Sequence, residues 1–172
     1  MQFKELPNQK TLHDALEYNP NTGVFIWKHR SEQPNWWNGK FAGTKAGSKQ
    51  EQGISIYVNN IKYQAHRLAW VYVYGVVPVD NIVDHINCDW HDNRIENLRL
   101  STHGQNGSNS RGWTKKYLSK GVSTQTISGR YRARIGVDKK VLYLGTFNTE
   151  KEAHKAYIEA AVKYKGEFAR GA

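Results

Sequence analysis

The run Gly104-Gln105-Asn106-Gly107-Ser108-Asn109-Ser110-Arg111-Gly112 constrains the fold more than any other part of the chain. Gly, Ser and Asn favour turns and loops over continued regular structure, so the run reads as a helix that frays into a flexible connector. It interrupts a chain of 172 residues. That length holds one ordinary domain or two small ones, and a connector here selects two, each with its own core. The expected division is 1–112 for a first module, 113–118 for a linker and 119–172 for a second module. A large multidomain enzyme is excluded.

Charge divides at the same place. The chain carries 25 Lys and Arg against 15 Asp and Glu, a formal net charge of +10. From Met1 to Ser110 there are 11 against 10, net +1, and from Arg111 to Ala172 there are 14 against 5, net +9. Such an excess calls for an anionic partner, a nucleic acid or an acidic membrane surface. No apolar run approaches the roughly 18 residues of a spanning helix, and residues 1–10 lack a signal-peptide core. A soluble protein that stays in the cytosol is expected, with no membrane partner. Cys88 is the single cysteine, which excludes an intramolecular disulfide and any zinc site built on paired cysteines. Oxygen or imidazole must hold whatever metal is used.

In the first module Thr11 can cap a short helix carrying Leu12, Ala15 and Leu16, which Asn19-Pro20-Asn21-Thr22-Gly23 would end. Val24-Phe25-Ile26-Trp27 reads as a strand. Trp36-Trp37, in a polar stretch, either stack on bases or fill a crevice of their own domain. The apolar runs around Asn59-Asn60 predict a hairpin, and residues 66–74 a helix stopped by Gly75.

Chemistry concentrates in Ile82-Val83-Asp84-His85, a polar loop, Leu98-Arg99-Leu100, and a helix that Thr102-x-x-Gln105 would open as a capping box. Neighbours on a strand point to opposite faces, so one of Asp84 and His85 can bind a metal while the other faces substrate. Asp89, His91 and Asp92 read as solvated loop residues more readily than as a second metal cluster. Arg67 can meet either a phosphate or an acidic neighbour.

In the second module, period two puts Arg130, Arg132 and Arg134 on one face of a strand, with Tyr131, Ala133 and Ile135 on the other. The next strand separates Val141 and Tyr143 from Leu142 and Leu144. A helix follows whose Ala153, Ala156, Tyr157, Ala160, Ala161 and Tyr164 form a stripe for close packing on the sheet. The arginine face stays open.

The segment from His66-Arg67-Leu68-Ala69-Trp70 through Asp84-His85-Ile86-Asn87 and Asp92-Asn93-Arg94-Ile95-Glu96-Asn97-Leu98-Arg99 resembles the HNH endonucleases of phage and homing type. The resemblance implies a ββα-metal module in which His85 is the general base and Asn97 braces the loop. It also implies that Asp84 and Asn106 hold one Mg²⁺ or Mn²⁺ ion per active site. Cys88 stands where that family more usually has Gly. Residues 119–170 resemble an AP2-type DNA-binding domain, which implies that Arg130, Arg132, Arg134 and Tyr143 approach the major groove. Lys115 and Lys116 would touch phosphates.

The expected fold class is therefore α+β, a ββα-metal nuclease module followed by a three-stranded antiparallel sheet with one helix. The expected function is a metal-dependent endonuclease acting on double-stranded DNA in the cytoplasm, the host's if phage-encoded. It would work as a monomer or weak dimer without an obligate protein partner. A DNA-binding regulator with a vestigial nuclease site is the alternative.

Overall fold

The computed structural model describes residues 5–109, 118–124, 129–138 and 140–169. Lys115, Lys116 and all of the expected linker except Leu118 lie outside them. The chain divides into two compact units, Met1–Thr102 and His103–Ala172.

The first unit opens with α1 (Gln9–Ala15), capped by Asn8 instead of Thr11. Asn8 Oδ1 accepts the Thr11 backbone N–H at 2.8 Å, so Thr11 already lies inside the first turn. Leu16 leaves the helix as well and begins β1 (Leu16–Asn19), which pairs antiparallel with β2 (Val24–Trp27). The turn residues therefore close a hairpin, with Asn19 Oδ1 accepting from the N–H groups of Asn21 and Thr22 at 3.0 and 3.1 Å. Alternation buries Leu16 and Tyr18 and exposes Glu17 and Asn19.

On α2 (Asn35–Phe41) the two tryptophans part company. Trp37 packs edge-on against Trp27, with ring centroids 5.4 Å apart, and takes the Arg30 guanidinium over its face at 4.8 Å. Trp36 is 67% exposed. A sheet in the order β3 (Ser48–Gln50), β4 (Gly53–Val58) and β5 (Ile61–Gln64) follows. Asn59 and Asn60 both take positive φ, +50° and +62°, as a two-residue hairpin turn between twisted strands requires. Helix α3 (Ala65–Tyr74) ends at Gly75, whose N–H reaches the Val71 carbonyl at 2.8 Å.

One core gathers these elements around Leu12, Leu16, Phe25, Ile56, Leu68 and Val71. Each such side chain contributes about 1.5–3 kcal/mol on burial. Val83 and Leu98 anchor the antiparallel pair β6 (Ile82–His85) and β7 (Leu98–Ser101) to the same core.

The second unit starts with α4 (His103–Asn109). Its sheet runs β8 (Val122–Thr124), β9 (Tyr131–Val137) and β10 (Lys140–Phe147), with β9 in the centre. Helix α5 (Glu150–Lys165) begins with a complete capping box between Thr149 and Glu152. Ala153, Tyr157, Ala160 and Ala161 are buried, together with Ala133 and Ile135 of β9. Tyr164 does not join that stripe; it is 44% exposed, with the Lys163 ammonium over its ring. The small antiparallel sheets and separate helices make the chain α+β. Among the described residues no helix is long and apolar enough to cross a membrane.

Candidate active site and arginine face

The register of β6 on β7 pairs Asp84 with Arg99 and His85 with Leu98. Arg99 Nε and Nη2 both donate to Asp84 Oδ2, at 3.4 and 3.3 Å. The two side chains are buried, and a buried charge needs such a partner. His85 turns to other neighbours. Its Nε2 lies 3.1 Å from Asn93 Oδ1, and the His66 ring meets it edge-on with centroids 4.8 Å apart. Adjacent residues on one strand thus engage separate partners.

Burial pulls the His85 pKa below the ordinary histidine value, against the opposing effects of the Asn93 hydrogen bond and of Asp84, Asp89 and Asp92. Burial also drives His66 down to about 3, helped by the charges of His85 and Arg67. Both rings are neutral at neutral pH, and a neutral imidazole can accept a proton.

The loop between the strands is tied from inside by Asn97. Its Nδ2 donates to Asn87 Oδ1 at 3.0 Å and to the Asp92 carbonyl at 2.8 Å, while its Oδ1 accepts the Asn87 N–H at 3.1 Å. Asp92 accepts from Arg94 Nε and Nη2 at 2.9 and 2.8 Å, and these bonds hold its pKa at about 2. Asp89 Oδ1 accepts the His91 N–H at 3.0 Å, and His91 Nε2 lies 2.9 Å from the Gln50 carbonyl. Asp89, His91 and Asp92 are thus spent on loop contacts. Cys88 adopts φ +58°, the left-handed region that favours glycine.

Two turns of the unit press on this loop from outside. A Cβ on Gly23 would sit 2.5 Å from the Asn93 carbonyl carbon, and one on Gly53 would sit 2.7 Å from the Trp90 oxygen. The Tyr18 hydroxyl donates to the Asn93 carbonyl at 2.7 Å, and the Ile95 N–H reaches Pro20 O at 3.1 Å.

Asp84, His85 and Asn97 therefore come together in the first unit. Arg67 lies half-buried on α3; among the described residues it forms no ion pair, and burial lowers its pKa. Asn106 lies half-buried on α4, in the second unit. Sequence reasoning passed over Arg99, Asn93, His66 and Tyr18. Arg99 had a usable signal, a charge between two leucines on the strand that pairs with Asp84.

On the second unit Arg134 and Tyr143 are cross-strand partners and both are exposed. Arg134 Nη2 reaches Ser123 Oγ at 3.5 Å, and the Tyr143 hydroxyl bonds Thr146 Oγ1. Arg132 is half-buried, and Arg130 is exposed one residue ahead of β9.

Residues 63–108 match the family model described as HNH endonuclease. Over a separate stretch, the ethylene-responsive transcription factor WRI1 of Arabidopsis thaliana is 44% identical over 73 residues, 41% of this chain and 16% of that protein. The AP2-like ethylene-responsive transcription factor PLT2 of Arabidopsis thaliana is 51% identical over 51 residues, 28% of this chain and 9% of its own. The factor CRL5 of Oryza sativa subsp. japonica is 49% identical over 51 residues, 28% and 8%. The chain joins an HNH domain to an AP2-like domain. It spans 16% or less of the length of these relatives. The segment matched to the HNH family holds His66, Asp84, His85, Asn93, Asn97, Arg99 and Asn106, but not Tyr18, Gly23 or Gly53.

Proposed function

We propose that this HNH and AP2-like chain is a metal-dependent endonuclease acting on double-stranded DNA. The observation that carries the reading is the pair Asp84 and His85, buried side by side on β6 and engaged by different partners, with Asn97 closing the loop between. In the ββα-metal arrangement that the HNH match brings to mind, His85 accepts a proton from water as the water oxygen attacks phosphorus and the P–O3′ bond breaks. The products are 5′-phosphate and 3′-hydroxyl ends. His66, neutral beside it, adds no charge that would oppose protonation of His85.

The donors assigned to the metal are the Asp84 carboxylate and the Asn106 carboxamide, hard oxygen groups that fit Mg²⁺ or Mn²⁺. Arg99 engages Asp84 Oδ2 and offsets part of its charge in the buried setting. When bound, one such ion would stabilise negative charge on the phosphorane and on the departing 3′ oxygen. Asn97 holds the loop, and with it the orientation of His85.

Affinity and site preference belong to the AP2-like module in this reading. Arg132, Arg134 and Tyr143, with Arg130 at the strand entrance, would face base edges, and Lys115 and Lys116 would touch phosphates. The protein would act as a monomer or weak dimer in the cytoplasm, without an obligate protein partner. The modules are proposed to be bounded at 112 and 119.

Supercoiled plasmid incubated with Mg²⁺ or Mn²⁺ tests this directly. Wild type should nick or linearise it and His85→Ala should not. Equal cutting by both proteins would remove His85 from the mechanism. The transcription-factor relatives favour one other reading, a DNA-binding regulator with a vestigial nuclease site, and binding without cutting under any divalent ion selects it.

A further inference from the structure

The HNH pattern accounts for Asp84, His85 and Asn97 but leaves a buried carboxamide against the base unexplained. Asn93 is 1% exposed, and its Oδ1 lies 3.1 Å from His85 Nε2. A carboxamide oxygen can only accept a hydrogen bond, so Nε2 must carry the ring hydrogen. In a neutral imidazole that places the basic lone pair on Nδ1. Had the amide nitrogen faced Nε2, the hydrogen would sit on Nδ1, and Nε2, capped inside the protein, would be the basic atom.

Asn93 is held there by residues far away in the chain. The Tyr18 hydroxyl donates to its carbonyl at 2.7 Å, Gly23 leaves no room for a Cβ beside that carbonyl, and Pro20 O binds the N–H of Ile95 at 3.1 Å. The β1–β2 turn thus holds the Asn93 backbone from which the carboxamide reaches His85. Among the described residues, the other end of the carboxamide, Nδ2, is buried without a hydrogen-bond partner. A buried donor left unpaired is costly.

We propose that Asn93 is a positioning residue, held by the β1–β2 turn, that locks His85 in its Nε2–H tautomer so that Nδ1 takes the proton of the attacking water. This rests on the nuclease reading of His85. In the step, the water O–H bond breaks as N–H forms at Nδ1, the water oxygen bonds phosphorus, and the P–O3′ bond breaks to a 3′ oxyanion that solvent protonates. The imidazolium formed keeps its Nε2–H on Asn93 Oδ1, now as a stronger, charge-assisted hydrogen bond.

The test is long-range ¹H–¹⁵N correlation of the full chain labelled at histidine, recorded at a pH where the rings are neutral, with His85→Ala to assign the signal. Wild type should give the pattern of a protonated Nε2 and a bare Nδ1. Asn93→Ala should give a mixture of tautomers, and Asn93→Asp should restore the wild-type pattern, since a carboxylate is also an acceptor. In plasmid cleavage Asn93→Ala should lose roughly tenfold to a hundredfold in kcat with little change in KM. Asn93→Asp should recover most of that loss, and Tyr18→Phe should show a smaller one. A wild-type spectrum with the hydrogen on Nδ1 overturns the proposal, and it decides the matter even where Asn93→Ala fails to fold. An unchanged tautomer in a folded Asn93→Ala does the same. A chain with the expected tautomer that cuts no DNA sinks the nuclease reading instead, and with it the part of Asn93 in the reaction.

Discussion

In the first unit Asp84, His85, Asn93, Asn97 and Arg99 are each 9% exposed or less, whereas in the second Arg130, Arg134 and Tyr143 stand in solvent. The buried set has to find its partners within the fold, because polar groups removed from water are costly unless paired. Asn93 Nδ2 apart, it does so by drawing on β1, α3, β6, β7 and the loop at once. The exposed set makes only light contacts within its own sheet, Arg134 with Ser123 and Tyr143 with Thr146. Charge follows the same division, net +1 up to Ser110 and +9 beyond it. A reaction centre calls for fixed geometry and low dielectric, while a polyanion-binding face calls for uncommitted charge.

The sharpest way to break this contrast is to separate cutting from holding. His85→Ala should lower plasmid cleavage by about 10²–10⁴-fold, the usual contribution of a general base. Duplex affinity, read by fluorescence anisotropy, should stay within about twofold. A matching loss of affinity would mean that the first unit also carries the binding.

Next in size is the stability of the buried pair. Arg99→Ala leaves the Asp84 carboxylate in the interior without its cross-strand cation and should destabilise the first unit by about 3–5 kcal/mol. Urea titration followed by tryptophan fluorescence reads this. Arg134→Ala, on the open face, should change stability by no more than about 0.5 kcal/mol. Affinity should invert that order. Arg132→Ala and Arg134→Ala should each weaken binding to a preferred duplex by about 1–3 kcal/mol, while Arg99→Ala, assayed where it is folded, should not.

Acid should also distinguish the units. His66 titrates at about 3 in the folded chain against an ordinary 6.5, so between those values the unfolded chain binds a proton that the folded one does not. Stability from this group is complete above pH 6.5 and is lost as pH falls toward 3. His85 is shifted the same way. Thermal melts from pH 7 to 4 should show the first unit weakening, and His66→Gln should flatten that trend if it folds. A small gain is expected from Cys88→Gly, which should raise stability by about 0.5–1 kcal/mol by relieving a left-handed backbone, less the entropy glycine adds to the unfolded chain. A lowered melting temperature would show that the Cys88 side chain contributes more than its strain removes.

What the sequence made legible was local or periodic. The Asn59-Asn60 turn, the stop at Gly75, the strands around Asp84 and Leu98, and the burial of Ala133 and Ile135 with Arg134 exposed between them on β9 each depend on a few neighbouring residues; Arg130 falls outside β9 and Arg132 is half-buried. The misplacements needed knowledge of a distant partner. Asn8 and Thr11 are both good caps, and Asn8 prevails because it accepts the Thr11 N–H. Leu16 fits the helical spacing but joins β1, because β2 offers it a ladder opposite Trp27. Tyr164 continues the stripe of α5 in sequence, yet it is exposed and outside the core of that unit. Asp84, His85 and Asn97 could be named from the motif, while Arg99 and Asn93 emerge only from strand register and loop closure.

The hydrogen bond from Tyr18 to Asn93 spans 75 positions of sequence. Contacts of that separation require a long loop to close, which costs chain entropy and slows folding. The stretch that matches the HNH family begins at residue 63, after Tyr18, Gly23 and Gly53. Residues 63–108 expressed alone would carry every motif side chain and still lack the hairpin and glycine turns that shape the loop. The loop beside His85 therefore takes its shape from the β1–β2 hairpin and from Gly53, well before the recognisable motif starts.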